Sequence, residues 1–304
     1  MIGRCCIILK NQEGLDFLSG LDSDSVDLVL VDPPYITSRD SGMDKWVDWV
    51  ENQSKEDAVN IRTEEQWNEL KTDEQWDEWL ENNSKSKSLD RNKELARLKE
   101  DYLKYGSIYG KKYAVRTDYG EWDSEFTLES LAEFVTQFYR VLRKGGSCIV
   151  FFDLWKITDL KNILEESKFK QLRFIEWIKT NPQPINSKRN YLTNCREIAL
   201  TAVKVGRSTF NSSYDSGIYK HPIYNGKDRF HPTQKSLPLF EELVRKHSSE
   251  GDVVLDCFAG SGTTAIAAIK NNRKFIGCEI DKDFYEKSVD RINKTVSEQT
   301  KQKE

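Results

Sequence analysis

Cysteine is scarce in this chain and badly spaced for metal or disulfide chemistry. Six cysteines lie at positions 5, 6, 148, 195, 257 and 278 of 304 residues, with no C-x-x-C pair among them. That excludes a zinc cluster or a stapled secreted scaffold, and no metal site is expected. Most of the six sit in apolar strand contexts, so reduced, buried thiols and an intracellular setting, cytoplasmic or nuclear, are expected rather than secretion. No apolar run is long enough to span a bilayer, and residues 1–10 offer a short strand but neither the charged leader nor the cleavage site of a secretory signal. A basic excess is missing too: the net charge is −4, which does not by itself announce a nucleic-acid binder. What remains, with 38% hydrophobic residues, is a soluble globular chain able to bury a sizeable core.

Asp32-Pro33-Pro34-Tyr35 follows the apolar run Val26-Asp27-Leu28-Val29-Leu30-Val31. The run reads as a buried strand, which puts the four residues at a strand's carboxyl end, where open α/β sheets place their ligands. Consecutive prolines fix the backbone and donate no N–H, leaving their carbonyls free to accept. An exocyclic amine of adenine or cytosine carries two N–H donors. The Asp32 carboxylate and a proline carbonyl could hold both while Tyr35 stacks on the base. A turn that merely ends a strand has the same composition, and a second motif decides between the two.

That motif begins with the strand Asp252-Val253-Val254-Leu255-Asp256 and turns through Cys257-Phe258-Ala259-Gly260-Ser261-Gly262-Thr263-Thr264 into a helix over 265–270. Its glycines let backbone approach a ligand closely, and the helix start presents unpaired N–H groups. Seventeen residues past Gly262, Glu279 ends the strand Lys274-Phe275-Ile276-Gly277-Cys278, where a carboxylate can take both hydroxyls of a ribose. No Gly-Lys-Ser/Thr follows the turn, which excludes a phosphate loop, and the dinucleotide fingerprint is incomplete. A nucleoside cofactor is the better reading.

The order Asp32 to Tyr35, then His231-Pro232-Thr233-Gln234-Lys235-Ser236, then Phe258 to Gly262 resembles the β class of amino-methylating DNA methyltransferases. Tyr119-Gly120-Glu121-Trp122-Asp123 and Trp177-Ile178-Lys179-Thr180-Asn181-Pro182-Gln183-Pro184 extend the likeness to nearly everything outside residues 39–117. The resemblance implies S-adenosylmethionine as cofactor and base flipping followed by direct, in-line methyl transfer. It implies Asp32, Pro33, Pro34 and Tyr35 as catalytic residues, with Phe258, Ala259, Gly260, Gly262, Thr263 and Thr264 shaping the cofactor pocket. Asp32, Asp256 and Ser236 join that pocket, Glu279 takes the ribose, and Thr233 with Lys235 holds the methionine carboxylate. Where relatives often carry an Asp for the cofactor's adenine amine, this chain offers Asn11. His231 is read as a packing residue, because the chemistry needs no imidazole base. Asp at the head of the tetrapeptide resembles the adenine-N6 enzymes, whereas many cytosine-N4 relatives begin with Ser. The alternatives are therefore a cytosine-N4 enzyme and a catalytically silent nucleic-acid-binding module. Double-stranded DNA is the implied partner, and a second copy of the chain and a cognate restriction nuclease are partners the resemblance admits.

The implied fold is a Rossmann-like, doubly wound, mostly parallel seven-stranded α/β sheet, circularly permuted. Strands 253–256 and 275–279 come first in space, 5–9 third and 28–31 fourth, with the two motifs meeting at one edge of the sheet. Five segments follow: 1–38 and 118–180 as two parts of the catalytic domain, 39–117 as a helical insertion, 181–230 as a target-recognition segment and 231–304 as the cofactor-binding part. Residues 168–229 carry twelve Lys and Arg against four Asp and Glu, interleaved with Trp177, Tyr191, Phe210, Tyr214, Tyr219, Tyr224 and Phe230. Lys179, Lys188, Arg189, Tyr191 and Arg196 are the expected DNA contacts, basic groups on phosphates and aromatics on bases. The insertion is acidic over 40–81, fourteen acidic residues against four basic, and repeats its tryptophan pattern around Trp46 and Trp76. Elsewhere, helical spacing through Leu131, Phe134, Val135, Phe138 and Leu142 predicts a helix ended by Gly145-Gly146 before a strand over 148–152. Further elements are expected at 157–164, 172–178 and 237–246, with fraying from Ser297 onward.

Overall fold

The computed structural model describes residues 7–35, 63–71, 96–100, 102–103, 126–182, 193–231 and 233–303. The chain forms two compact units, one of residues 1–37 with 119–304 and one of residues 38–118.

The larger unit is built on strands β1 (Ile7–Asn11), β2 (Val26–Val31), β3 (Leu142–Phe152), β4 (Lys170–Lys179), β5 (Arg196–Val203), β6 (Ile218–His221), β7 (Val253–Asp256) and β8 (Lys274–Glu279). They form one sheet in the order β1-β8-β7-β2-β3-β5-β4-β6. β5 runs against both of its neighbours, and every other pairing is parallel. Its helices are α1 (Gly14–Ser19), α3 (Leu128–Val141), α4 (Ile157–Glu166), α5 (Leu237–His247), α6 (Thr263–Lys270) and α7 (Lys282–Lys303). The smaller unit contains α2 (Glu64–Lys71).

Period-two alternation sends the central strands' side chains into two cores. Val29 and Val31 of β2, with Cys148, Val150 and Phe152 of β3, join Phe134 and Phe138 of α3 and Leu160 of α4 on one face. Leu28, Leu30, Ile149 and Phe151 join Phe240 of α5 and Ile266 of α6 on the other. Both faces being covered explains why β2 reads as a continuous apolar run. Its one charge, Asp27, pairs with Arg143 and accepts from the Val253 N–H at 2.7 Å, tying β2 to β7.

Several expectations need correction. Eight strands are present among the described residues, not seven, because residues 218–221 add β6 beside β4. The first strand lies at the sheet edge beside β8, so the motif-bearing strands β7 and β2 are direct neighbours in the middle. Parallel connections run to opposite sides of that pair, so the cofactor turn and Asp32 share one crevice at the carboxyl ends. Gly145 and Gly146 lie inside β3, after α3 has ended at Val141. Gly145 has φ +81°, and a Cβ there would stand 2.5 Å from the Arg207 carbonyl oxygen, so only glycine passes. α7 is helical to Lys303, past Ser297, and Gln299 donates from Nε2 to the Ile269 carbonyl at 3.2 Å. The segment expected to read DNA supplies an interior strand, β5, and an edge strand, β6.

In the smaller unit, Thr63 and Gln66 cap α2 reciprocally: the Gln66 N–H donates to Thr63 Oγ1 at 3.2 Å and the Thr63 N–H to Gln66 Oε1 at 3.0 Å. Trp67 is buried and packs on Tyr102, with ring centroids 5.6 Å apart. The repeated tryptophans at 46, 49, 76 and 79 lie outside the described residues. Among the described residues no helix is long and apolar enough to cross a membrane.

Candidate active site

The glycine turn between β7 and α6 is fastened from every side. Asp256 accepts from the Phe258 N–H at 2.9 Å and from Thr264 Oγ1 at 2.5 Å. Burial pushes its pKa up to about 7 in spite of those bonds. Gly260 and Gly262 take left-handed φ values of +49° and +72°, and a Cβ on Gly260 would come within 3.3 Å of His231 Nε2. Glu279 accepts from the Gly260 N–H at 2.7 Å and from the Asp281 N–H at 2.9 Å. From α7, Ser288 donates to the Gly260 carbonyl, and Arg291 donates to the Ser261 carbonyl at 2.8 Å and Thr263 Oγ1 at 3.1 Å. Phe258 packs on Phe134 and Phe126, with centroids at 4.7 and 5.8 Å, and the Ala259 N–H donates to the Cys278 carbonyl at 3.1 Å. Asn11 spends its amide N–H groups on the carbonyls of Glu279 and Ile280, at 2.8 and 2.9 Å, which leaves its amide oxygen to accept.

Beside the turn, a row of charges crosses the end of β2. Lys235 Nζ lies 2.9 Å from Asp32 Oδ2 and 2.6 Å from Glu197 Oε2, and Lys179 Nζ lies 2.7 Å from Glu197 Oε1. The Lys235 ammonium also sits over the rings of Tyr35 and Phe151, at 5.5 and 5.6 Å. Burial raises the Asp32 pKa, with Lys235 opposing it. Burial works against a charged Lys235, but Asp32 and Glu197 prevail and hold it well above the usual lysine value. Burial also works against a charged Glu197, but Lys235 and Lys179 keep it below the usual range. Tyr35 is pushed well above its ordinary value by burial and by the Asp32 charge, so it stays a neutral phenol.

Four buried side-chain atoms in the described residues make no hydrogen bond of good geometry, Asp32 Oδ1, Tyr35 Oη, Gln234 Oε1 and Ser236 Oγ, although the Tyr35 hydroxyl and the Asp32 carboxylate lie close enough to interact. All four belong to the segments 32–35 and 233–236. Leaving a buried polar group unpaired costs about 1–3 kcal/mol, which makes these atoms candidates for contact with a ligand.

Of the expected site residues, the structure brings Asp32, Tyr35, Lys235, Ser236, Asp256, the glycine turn and Glu279 to one end of the sheet. Some roles differ from expectation. Lys235, expected on a carboxylate of the cofactor, is ion-paired with Asp32 and Glu197. Asp256 and Thr264 are fully buried against each other and shape the turn from behind. Lys179, expected on a phosphate, is drawn into the Glu197 ion pair, its side chain only 15% exposed. Arg196 is exposed and lies 3.4 Å from Glu176. Trp177 and Tyr219 are core residues, not stacking surfaces. Lys188, Arg189 and Tyr191 lie outside the described residues. His231 stacks obliquely on Phe284, with Nδ1 3.2 Å from Thr233 Oγ1, and burial lowers its pKa to about 4. Sequence reasoning missed Glu197, Ser288 and Arg291. Glu197 gave only the signal of a charge near the start of an apolar strand, and the other two look like ordinary polar residues of a charged helix.

A family model described as DNA methylase matches residues 106–290. The chain is 32% identical to the type II methyltransferase M2.LlaDCHI of Lactococcus lactis subsp. cremoris, over 59% of this chain and 74% of that protein. It is also 32% identical to M2.DpnII of Streptococcus pneumoniae, over 56% of this chain and 70% of that one. Among solved structures, M1.HpyAVI in complex with SAM aligns over 94% of this chain and 99% of its own, with a TM-score of 0.56 and 23% identity. The cytosine-N4-specific PvuII DNA methyltransferase aligns over 94% and 90%, with a TM-score of 0.57 and 14% identity. The last two likenesses establish the methyltransferase fold.

Proposed function

The chain belongs to the DNA methylase family, and from that premise we propose that it transfers a methyl group from S-adenosylmethionine to the N6 amine of adenine in double-stranded DNA. The observation that carries this is the set of buried atoms at 32–35 and 234–236 without a hydrogen bond of good geometry, following β2 and preceding α5, while the glycine turn follows the neighbouring strand β7. The residues present fit the cofactor. Glu279 uses one lone pair of each carboxylate oxygen on backbone N–H groups and keeps others for ribose hydroxyls, and the bare Gly260 and Gly262 allow close approach. S-adenosylmethionine, when bound, supplies an electrophilic methyl group.

The chain's own residues position the acceptor. Asp32 Oδ1 would accept one N–H of the flipped base and the Pro33 carbonyl the other, with Tyr35 against the ring. Holding both hydrogens directs the nitrogen lone pair toward the methyl group, and the Asp32 carboxylate favours the positive charge that develops on nitrogen. No covalent nucleophile or imidazole base is required, in keeping with the packed, neutral His231. Asp at the head of the tetrapeptide favours adenine over cytosine. The type II names of the relatives support a role in restriction–modification beside a cognate nuclease, inside the cell where the DNA is.

The test incubates the protein with isotopically methyl-labelled S-adenosylmethionine and mixed-sequence duplex DNA. Nucleosides are then identified by mass spectrometry, beside an Asp32→Ala control. Labelled N6-methyl-2′-deoxyadenosine absent from the control supports the reading. Labelled N4-methylcytosine reassigns the base, and no label overturns the reading.

A further inference from the structure

Glu197 stands at the start of β5, opposite Trp177 of β4, and far in sequence from both motifs it serves. Each of its carboxylate oxygens meets a different ammonium, Lys179 at 2.7 Å and Lys235 at 2.6 Å, and Lys235 in turn reaches Asp32 at 2.9 Å. None of the four side chains is more than 18% exposed. We propose that Glu197 is a positioning residue for methyl transfer, holding Lys235 on Asp32 Oδ2 so that Oδ1 stays free for the target amine, and cancelling the Lys235 charge at a site where a cation reacts.

Charge arithmetic supports this. Lys179, Glu197, Lys235 and Asp32 sum to zero. Without Glu197 the row carries one uncompensated positive charge beside the place where a sulfonium must bind and where an amine gains positive character, and Coulomb repulsion in a poorly solvated site disfavours both. Lys235 would also lose one of its two carboxylates, and nothing would restrict it to one oxygen of Asp32. The charged and titratable groups around Asp32 come from every neighbouring element: Lys235 ahead of α5, Glu197 of β5, Tyr35 after β2 and Asp256 of β7. Glu197 adds negative charge to that set, so its loss should make Asp32 a stronger acid.

The inference rests on the methyl-transfer reading for its kinetic arm, and the deciding measurement does not. The titration of Asp32 is followed by carbon-13 NMR of labelled aspartate carboxyls, assigned with Asp32→Asn, in the full-length protein and in Glu197→Gln. The midpoint should fall in Glu197→Gln. In Lys179→Met, which removes a cation from the far end of the row, it should rise, and this variant decides the matter if Glu197→Gln does not fold. An unchanged midpoint in the folded variants overturns the proposal even if the wild type proves inactive. In an active enzyme, kcat of Glu197→Gln should drop about 10- to 100-fold, by analogy with the loss of groups that orient metal ligands. KM for DNA should move less than about threefold, and Glu197→Asp should recover part of the rate. A lower melting temperature with kcat and the Asp32 midpoint both unchanged would show a merely structural residue.

Discussion

Two walls of the same crevice are finished to different degrees. In the turn at 256–264, Asp256, Gly260, Ser261, Thr263 and Thr264 all find partners within the protein, three of them through α7 or β8. Across the crevice, Asp32, Tyr35, Gln234 and Ser236 each leave a buried polar atom without a hydrogen bond of good geometry. The first wall is a preformed shape, and its cost is met inside the fold. The second is completed by what binds to it, which is how binding energy becomes specific for a ligand with donors in the right places.

The largest break in that contrast is Asp32→Ala. It should lower methyl transfer by about 10³-fold or more and weaken cofactor binding much less, because it removes the acceptor for the reacting amine and also leaves Lys235 with one carboxylate fewer. Single-turnover rates beside calorimetric titration of the cofactor separate the two effects, and a parallel loss of affinity would place Asp32 on the cofactor instead. Gly260→Ala attacks the other wall. A left-handed residue with a Cβ at 3.3 Å from the His231 ring should cost about 1–2 kcal/mol of stability and weaken cofactor binding, with the rate at saturating cofactor little changed.

A matched pair sharpens the comparison. Thr264→Val deprives buried Asp256 of a donor and should destabilise the free protein by about 1–3 kcal/mol in denaturant unfolding. Ser236→Ala deletes a hydroxyl that has no partner and should leave the free protein as stable or slightly more so, while weakening ligand binding. If both variants lose the same stability, the contrast between the walls is wrong.

A further contrast lies in the pH dependence of stability. Burial raises Asp256 from 3.8 to about 7, so the folded state binds that proton more tightly, and this group weakens the fold as pH rises across that interval. Burial lowers His231 and His247 from 6.5 to about 4, so the two histidines strengthen the fold as pH rises over nearly the same window and weaken it as pH falls. The opposed slopes partly cancel in the wild type. Asp256→Asn should therefore gain stability more steeply between pH 4 and 6.5, and a slope equal to that of the wild type would count against the assignment.

Much of this was legible in the chain. Local features spoke for themselves: the apolar run ending at Asp32, the glycines before Thr263, and the strand ending at Glu279. Each depends on residues adjacent in sequence, where stereochemistry and periodicity act directly. The Gly145-Gly146 pair was misread because a helix end and a tight passage inside a strand both ask for glycine. In the basic segment, charge counts did not say which side chains turn inward, as Lys179 and Trp177 do.

The sequence by itself determined the chemistry available: a carboxylate on a stiff turn, a glycine loop opening a helix, and an acidic residue at the next strand's end, in an order that marks the family. Only the tertiary structure decided how these groups are used. The sheet order made β7 and β2 neighbours, α7 fastened the glycine turn, and β5 carried Glu197 to a lysine 38 residues away. The reason is physical. Torsions and periodicity act over a few residues and can be read from them, whereas the pairing of buried charges depends on distances that exist only once the strands have been brought together.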